Sequence, residues 1–143
     1  GQDLKEARIL IPRAEVARKL LPDELRARDA HVDVVTVYRT ITPSGDREEW
    51  CRQLSDRQIH VVTFTSSSTV RNFVTMLGGV ERVRPLLQSV LVACIGPITA
   101  RTAEEFGLTV SIVPGENTIP ALVDAIVRHY DARRRKQVMA GTA

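Results

Sequence analysis

Residues 59–70, IHVVTFTSSSTV, and residues 91–107, LVACIGPITARTAEEFG, are built on one plan. Each opens with a short apolar run rich in β-branched residues, the pattern of a buried strand. Each then breaks into small polar residues or Gly-Pro and continues with helical spacing. A strand that ends in a Ser/Thr/Gly turn and enters a helix leaves backbone N–H groups free at the helix start. Those groups, with the positive end of the helix dipole, attract anions. Two such turns in one parallel sheet lie at the carboxyl ends of its strands, where open α/β folds bind ligands. A neutral, amide-rich edge suited to an acidic small molecule is therefore expected.

The same alternation runs outward in both directions. Residues 7–11 read as a strand closed by Pro12. Residues 14–28 read as a helix with Leu20, Leu21 and Leu25 inward. Residues 32–40 are a strand ended by Thr42-Pro43-Ser44-Gly45, and 46–54 a helix capped by Asp46. Strand 59–65 leads to helix 67–77, which Gly78-Gly79 ends. A short helix at 80–87 precedes strand 90–95, and helix 97–106 has Pro97 in its first turn and Gly107 as its cap. Strand 109–113 and helix 118–130 complete the pattern. Repeated β–α units of this length imply an α/β fold: a parallel sheet flanked by helices, with right-handed crossovers.

Composition narrows the class. The 143 residues suffice for about one domain. The apolar content of 43% with only 4% aromatics suits a Val/Ile/Leu/Ala core. The net charge of +3 is local in origin, because Arg133, Arg134, Arg135 and Lys136 stand near the carboxyl end. Without them sixteen basic residues face seventeen acidic ones. Residues 132–143 are expected to be a basic, flexible, solvated tail, and no nucleic-acid partner is expected. Cys51 and Cys94 form no disulfide framework, and the scattered His31, His60 and His129 give no metal spacing. The apolar runs are far shorter than the about 18 residues of a membrane span. A cytoplasmic protein with reduced thiols and no membrane partner is expected.

The candidates for chemistry are few. The run Thr65-Ser66-Ser67-Ser68-Thr69 is the densest hydroxyl cluster; it either holds carboxylates or phosphates or simply caps a helix. Gly96-Pro97-Ile98-Thr99 offers the Gly96 amide and the Thr99 hydroxyl, or is only a tight turn. Tyr38, at a strand end, is either a proton or hydrogen-bond donor at a sheet edge or a half-buried strand aromatic. Arg13, after Pro12, either meets an acid or is solvated.

Four segments in order carry a resemblance: Ile9-Leu10-Ile11-Pro12-Arg13-Ala14-Glu15, Val35-Thr36-Val37-Tyr38-Arg39-Thr40, Thr63-Phe64-Thr65-Ser66-Ser67-Ser68-Thr69-Val70 and Ala93-Cys94-Ile95-Gly96-Pro97-Ile98-Thr99-Ala100. Together with Val113-Pro114 and the helix that follows, they closely resemble uroporphyrinogen-III synthase up to about Tyr130. The resemblance implies two flavodoxin-like domains, of which this chain is the C-terminal half. Residues 1–40 would be the last βαβ portion of one domain, 41–58 the interdomain connector, and 59–131 the main part of the second domain. The missing N-terminal half, or a second copy by strand exchange, would be a partner. FTSSSTVRN looks like versions found where the synthase is fused behind a methyltransferase.

The activity so implied is cyclisation of hydroxymethylbilane to uroporphyrinogen III, with loss of water, inversion of the fourth ring and no cofactor. Carried over by motif, Tyr38 matches the tyrosine held to assist departure of the hydroxyl. Ser66 and Ser68 match the family's hydroxyl turn, and Gly96, Pro97 and Thr99 its second turn, as substrate-binding residues. Two positions depart from the pattern: Ser67, where proline is frequent, and Ile98, where a polar residue is usual. The competing class is a non-enzymatic flavodoxin-like module that binds an anionic metabolite.

Overall fold

A computed structural model of the chain describes residues 4, 7–15, 17–38 and 46–141, with the side chains of Ala14, Val37 and Tyr38 outside that description. The turn expected at 42–45 also lies outside the described residues. Internal contacts divide the chain into two units, residues 1–41 and 42–143.

In the first unit, β1 (Arg8–Ala14) and β2 (His31–Tyr38) pair in parallel, joined through α1 (Leu20–Arg26). The register runs from Arg8 opposite His31 to Arg13 opposite Thr36, then slips so that Ala14 faces Tyr38. Pro12 does not close β1, as the sequence suggested, but lies within it opposite Val35. On a strand paired along one side, the missing N–H of a proline need not interrupt the ladder. The helix starts at Leu20 rather than near residue 14 and has only seven residues. Its buried member is Pro22, whereas Leu20 and Leu21, expected inward, are exposed. A helix of two turns over two strands has too little surface beneath it to cover a leucine stripe. Leu10 and Val35 are exposed as well.

The second unit contains α2 (Arg47–Ser55), β3 (Val61–Phe64), α3 (Ser67–Met76), α4 (Val80–Leu86), β4 (Leu91–Cys94), α5 (Pro97–Glu105) and α6 (Ile119–Gly141). Asp46 caps α2 by accepting a hydrogen bond from the Glu49 N–H at 3.1 Å. β3 and β4 pair in parallel, with Val61 opposite Leu91 and Phe64 opposite Cys94. The strand expected at 109–113 is reduced to one parallel bridge, Ile112 to Ala93. The Cys94 N–H donates to the Ile112 carbonyl and the Ile112 N–H to the Val92 carbonyl.

Strand alternation sorts the core into two layers. Phe64, Val92 and Cys94 point to one face, where they pack with Leu54 of α2, Val70, Val74 and Leu77 around α3, Val83 of α4 and Ala103 of α5. Ala93 points to the other face and packs with Ile112 and with Leu122 of α6. The sheet is thus flanked by helices on both faces, as the β–α alternation required. α6 continues past Tyr130 to Gly141, so residues 132–141 of the segment expected to be a basic, flexible, solvated tail are helical and exposed. Arginine, lysine, glutamine, methionine and alanine are all good helix formers, which outweighs the like charges of 133–136.

Cys94 is fully buried in this core, and loss of water pushes its thiol up to about 11, with a smaller push from Glu104. Because the folded value lies above the unfolded one, about 8.5, the thiol contributes stability below that pH. The contribution is lost as pH rises towards 11. Alkylation with iodoacetamide at pH 8, followed by mass spectrometry, is expected to leave Cys94 unmodified in the folded chain and to label it after denaturation.

Candidate functional site

β3 and β4 end side by side. Phe64 lies opposite Cys94, and the Ile95 N–H donates to the Phe64 carbonyl at 2.9 Å. The turns that follow, at residues 65–66 and 95–96, therefore leave the same edge and enter α3 and α5 as neighbouring helices.

The first turn is organised by Ser66. Its backbone is extended, and its Oγ accepts from the Thr69 N–H at 3.2 Å. In return the Thr69 Oγ1 accepts from the Ser66 N–H at 3.2 Å, completing a reciprocal cap. Ser66 Oγ also lies 2.9 Å from Ser68 Oγ. The Ser66 hydroxyl is thus engaged by the helix it starts. Helix geometry leaves the Ser67 and Ser68 N–H groups without intrahelical acceptors. Ser66→Ala is expected to lower stability by about 1 kcal/mol, the usual cost of an N-cap, measured by urea denaturation.

The second turn is built differently. Gly96 precedes α5 in an extended conformation, with φ of −167°, and gives no side-chain cap. Extended backbone of this kind suits any residue, so conformation does not demand the glycine. Space does: a Cβ on Gly96 would stand 2.5 Å from Asn117 Oδ1 and 2.6 Å from its Cγ. Pro97 has no N–H to offer, which leaves those of Ile98 and Thr99 as the free donors of the first turn. Pro97 and Ile98 are exposed, while Thr99 is buried at 5% exposure. The two helices are tied by Ser67 Oγ, 2.8 Å from Thr102 Oγ1, which itself donates to the Ile98 carbonyl at 3.1 Å.

Ser66, Ser68, Gly96 and Pro97 therefore share one sheet edge, with Thr99 in the same helical turn but inward. Tyr38 ends β2 of the first unit, and its side chain lies outside the described residues. Arg13, also of the first unit, donates from Nη1 to the Arg18 carbonyl at 3.4 Å. Asn117 over Gly96 and the Ser67–Thr102 bridge escaped the sequence reading. Both join residues far apart in the chain, and neither leaves a spacing signal. Among the described residues no group of three or more His, Cys, Asp or Glu is placed to hold a metal.

The family model for uroporphyrinogen-III synthase HemD matches residues 1–124. The chain belongs to the uroporphyrinogen-III synthase family. A relative from Methanothermobacter thermautotrophicus, which bears the synthase name provisionally, is 36% identical over 129 residues, covering 88% of this chain and 51% of the relative. The uroporphyrinogen-III synthase of Synechococcus elongatus is 31% identical over 129 residues, covering 87% of this chain and 48% of its own length. The solved uroporphyrinogen-III synthase of Thermus thermophilus, in a mutant form, shares the fold with a TM-score of 0.60 at 18% identity, covering 90% of this chain and 52% of that one. The chain thus spans about half the length of the synthases it matches.

Proposed function

We propose that this chain supplies the C-terminal half of a uroporphyrinogen-III synthase and takes part in cyclising hydroxymethylbilane to uroporphyrinogen III. The observation that carries the reading is the shared edge of β3 and β4, where two helix starts direct free N–H groups outward in a protein of the synthase family. The substrate carries eight carboxylates, which such groups and nearby hydroxyls can hold without a strongly basic pocket. Its hydroxyl leaves readily as water, and ring closure also proceeds uncatalysed. The protein's task is then to hold the chain so that closure through a spiro intermediate, with inversion of the fourth ring, wins. Ser66, Ser68, Gly96, Pro97 and Thr99 are proposed to line the substrate edge, chiefly through main-chain donors, and Tyr38 to help the hydroxyl depart.

In the same reading residues 1–40 close one synthase domain, 41–58 cross between domains and 59–131 make most of the second. α2, inside that crossing, is seated on the second unit through Cys51 and Leu54. Apolar side chains left outward support a missing partner: Leu10, Leu20, Leu21 and Val35 in the first unit, and Val113, Ile119, Val123 and Val127 in the second. An N-terminal half, or a second copy by exchange, would cover them. The likeness of FTSSSTVRN to synthases fused behind a methyltransferase supports such a fusion in the parent polypeptide.

Sedimentation and isomer analysis of the product test the reading. As a monomer the 143-residue chain is expected to form no uroporphyrinogen III above the uncatalysed background. Adding an N-terminal synthase half is expected to restore it. A compact monomer that makes the type III isomer unaided would overturn the half-enzyme reading, and failure with every added half would overturn the enzymatic one.

A further inference from the structure

The strands that form the candidate site have a second edge. At their amino-terminal ends a cavity of about 730 Å³ is lined by Arg57, His60, Arg84, Gly107, Ser111 and Arg133, among others, and no carboxylate is among its lining residues. That volume lies within the range of small-molecule sites, about 300–1,000 Å³. The three arginines reach it from different elements. Arg57 follows α2 in a left-handed conformation, with φ of 58°, Arg84 is in the last turn of α4, and Arg133 lies on the extension of α6 past Tyr130. All belong to the second unit.

Their lack of partners separates them from the arginines nearby. Arg47 is held by the Met76 carbonyl, Arg52 by Glu49 and Arg82 by Glu48. Among the described residues the side chains of Arg57, Arg84 and Arg133 make no hydrogen bond or ion pair. Asp56 and Asp131, close to them in sequence, do not line the cavity. Gly107 makes room for one of them: a Cβ there would meet Arg84 Cδ and Nε, each at 3.1 Å, and its φ of +73° disfavours any side chain. Guanidinium groups gathered on a concave surface without a counter-charge repel one another, and a bound anion with several oxygens relieves that repulsion through forked hydrogen bonds.

We propose that this cavity binds a small polyanion carrying two or more phosphate or carboxylate groups. The site is distinct from the edge assigned to the tetrapyrrole, so its failure would leave the synthase reading untouched. Titration calorimetry of the 143-residue chain at fixed ionic strength, with inorganic pyrophosphate and with citrate as probes, tests it. Saturable one-to-one binding of at least one probe is expected, and which one binds assigns phosphate or carboxylate. Amide chemical shifts should move at Ser89, Leu91, Gly107 and Ser111. Arg84→Gln and Arg133→Gln should each weaken binding about tenfold, the loss of one charge-assisted hydrogen bond, and Arg71→Gln should not. Binding of neither probe, equal weakening by Arg71→Gln, or shifts centred on Ser66 and Gly96 would overturn the proposal.

Discussion

Gly96→Val is expected to weaken binding of a uroporphyrinogen analogue by roughly 10- to 100-fold, the cost of overfilling a packed site, while the chain stays folded. The structural reason is specific. The first carbon of the new side chain would fall 2.5 Å from Asn117 Oδ1. Asn117 is exposed and the encroached atoms are the end of its side chain, so it can swing aside at modest cost to stability. The valine side chain then crowds the turn from which the Ile98 and Thr99 N–H groups are offered. Ser66→Ala is expected to cost about 1 kcal/mol or less of affinity, because its hydroxyl is already committed to Thr69. The two variants separate two modes of recognition. If Ser66→Ala proves the more damaging in calorimetry, hydroxyls lead and the amide-led account is wrong. Melting curves establish that both variants are folded.

What was legible in the sequence was local. Asp46 three residues before Glu49, Ser66 three before Thr69, and Gly96-Pro97 between a strand and a helix announce turns through bonds made within one helical turn. The parallel sheet with helices on both faces followed from alternating periods, and the synthase family from four motifs in order. What depended on distant neighbours was not legible. Whether Pro12 ends a strand or sits in one is decided by how many sides of β1 are paired. Whether Leu20 and Leu21 face inward depends on how much sheet lies beneath α1. Residues 109–113 have strand composition, but a ladder needs several aligned pairs, and only Ile112 finds one. The same limit applies to the candidate site. The hydroxyl run was visible, yet the bond of Ser67 to Thr102 spans thirty-five residues, and Asn117 reaches Gly96 across α5 and the bridge at Ile112. The basic cavity is the extreme case, since Arg57, Arg84 and Arg133 line it together only because α2 and α4 end beside a stretch of α6.

Tyr38→Phe is expected to lower turnover of hydroxymethylbilane by roughly 10- to 1000-fold, at or below the usual contribution of a positioned acid. The expectation joins the family resemblance at Val35–Thr40 to one structural fact: Tyr38 is the last residue of β2, at the carboxyl end of a parallel strand. Such ends are where α/β sheets place reactive side chains. A phenol there can donate a hydrogen bond to the departing hydroxyl, and phenylalanine removes that donor while keeping the ring. The loss should fall on kcat more than on KM, because the bond strengthens as charge develops on the leaving oxygen. The measurement is made in whichever preparation turns over the substrate, the chain alone or complemented with an N-terminal half. Product identity is a second readout. If the hydroxyl acts only on departure, the remaining product stays type III, since inversion is set by how the substrate is held. A shift towards the type I isomer would assign Tyr38 to holding the substrate instead, and an unchanged rate would leave it a strand aromatic with no part in the reaction.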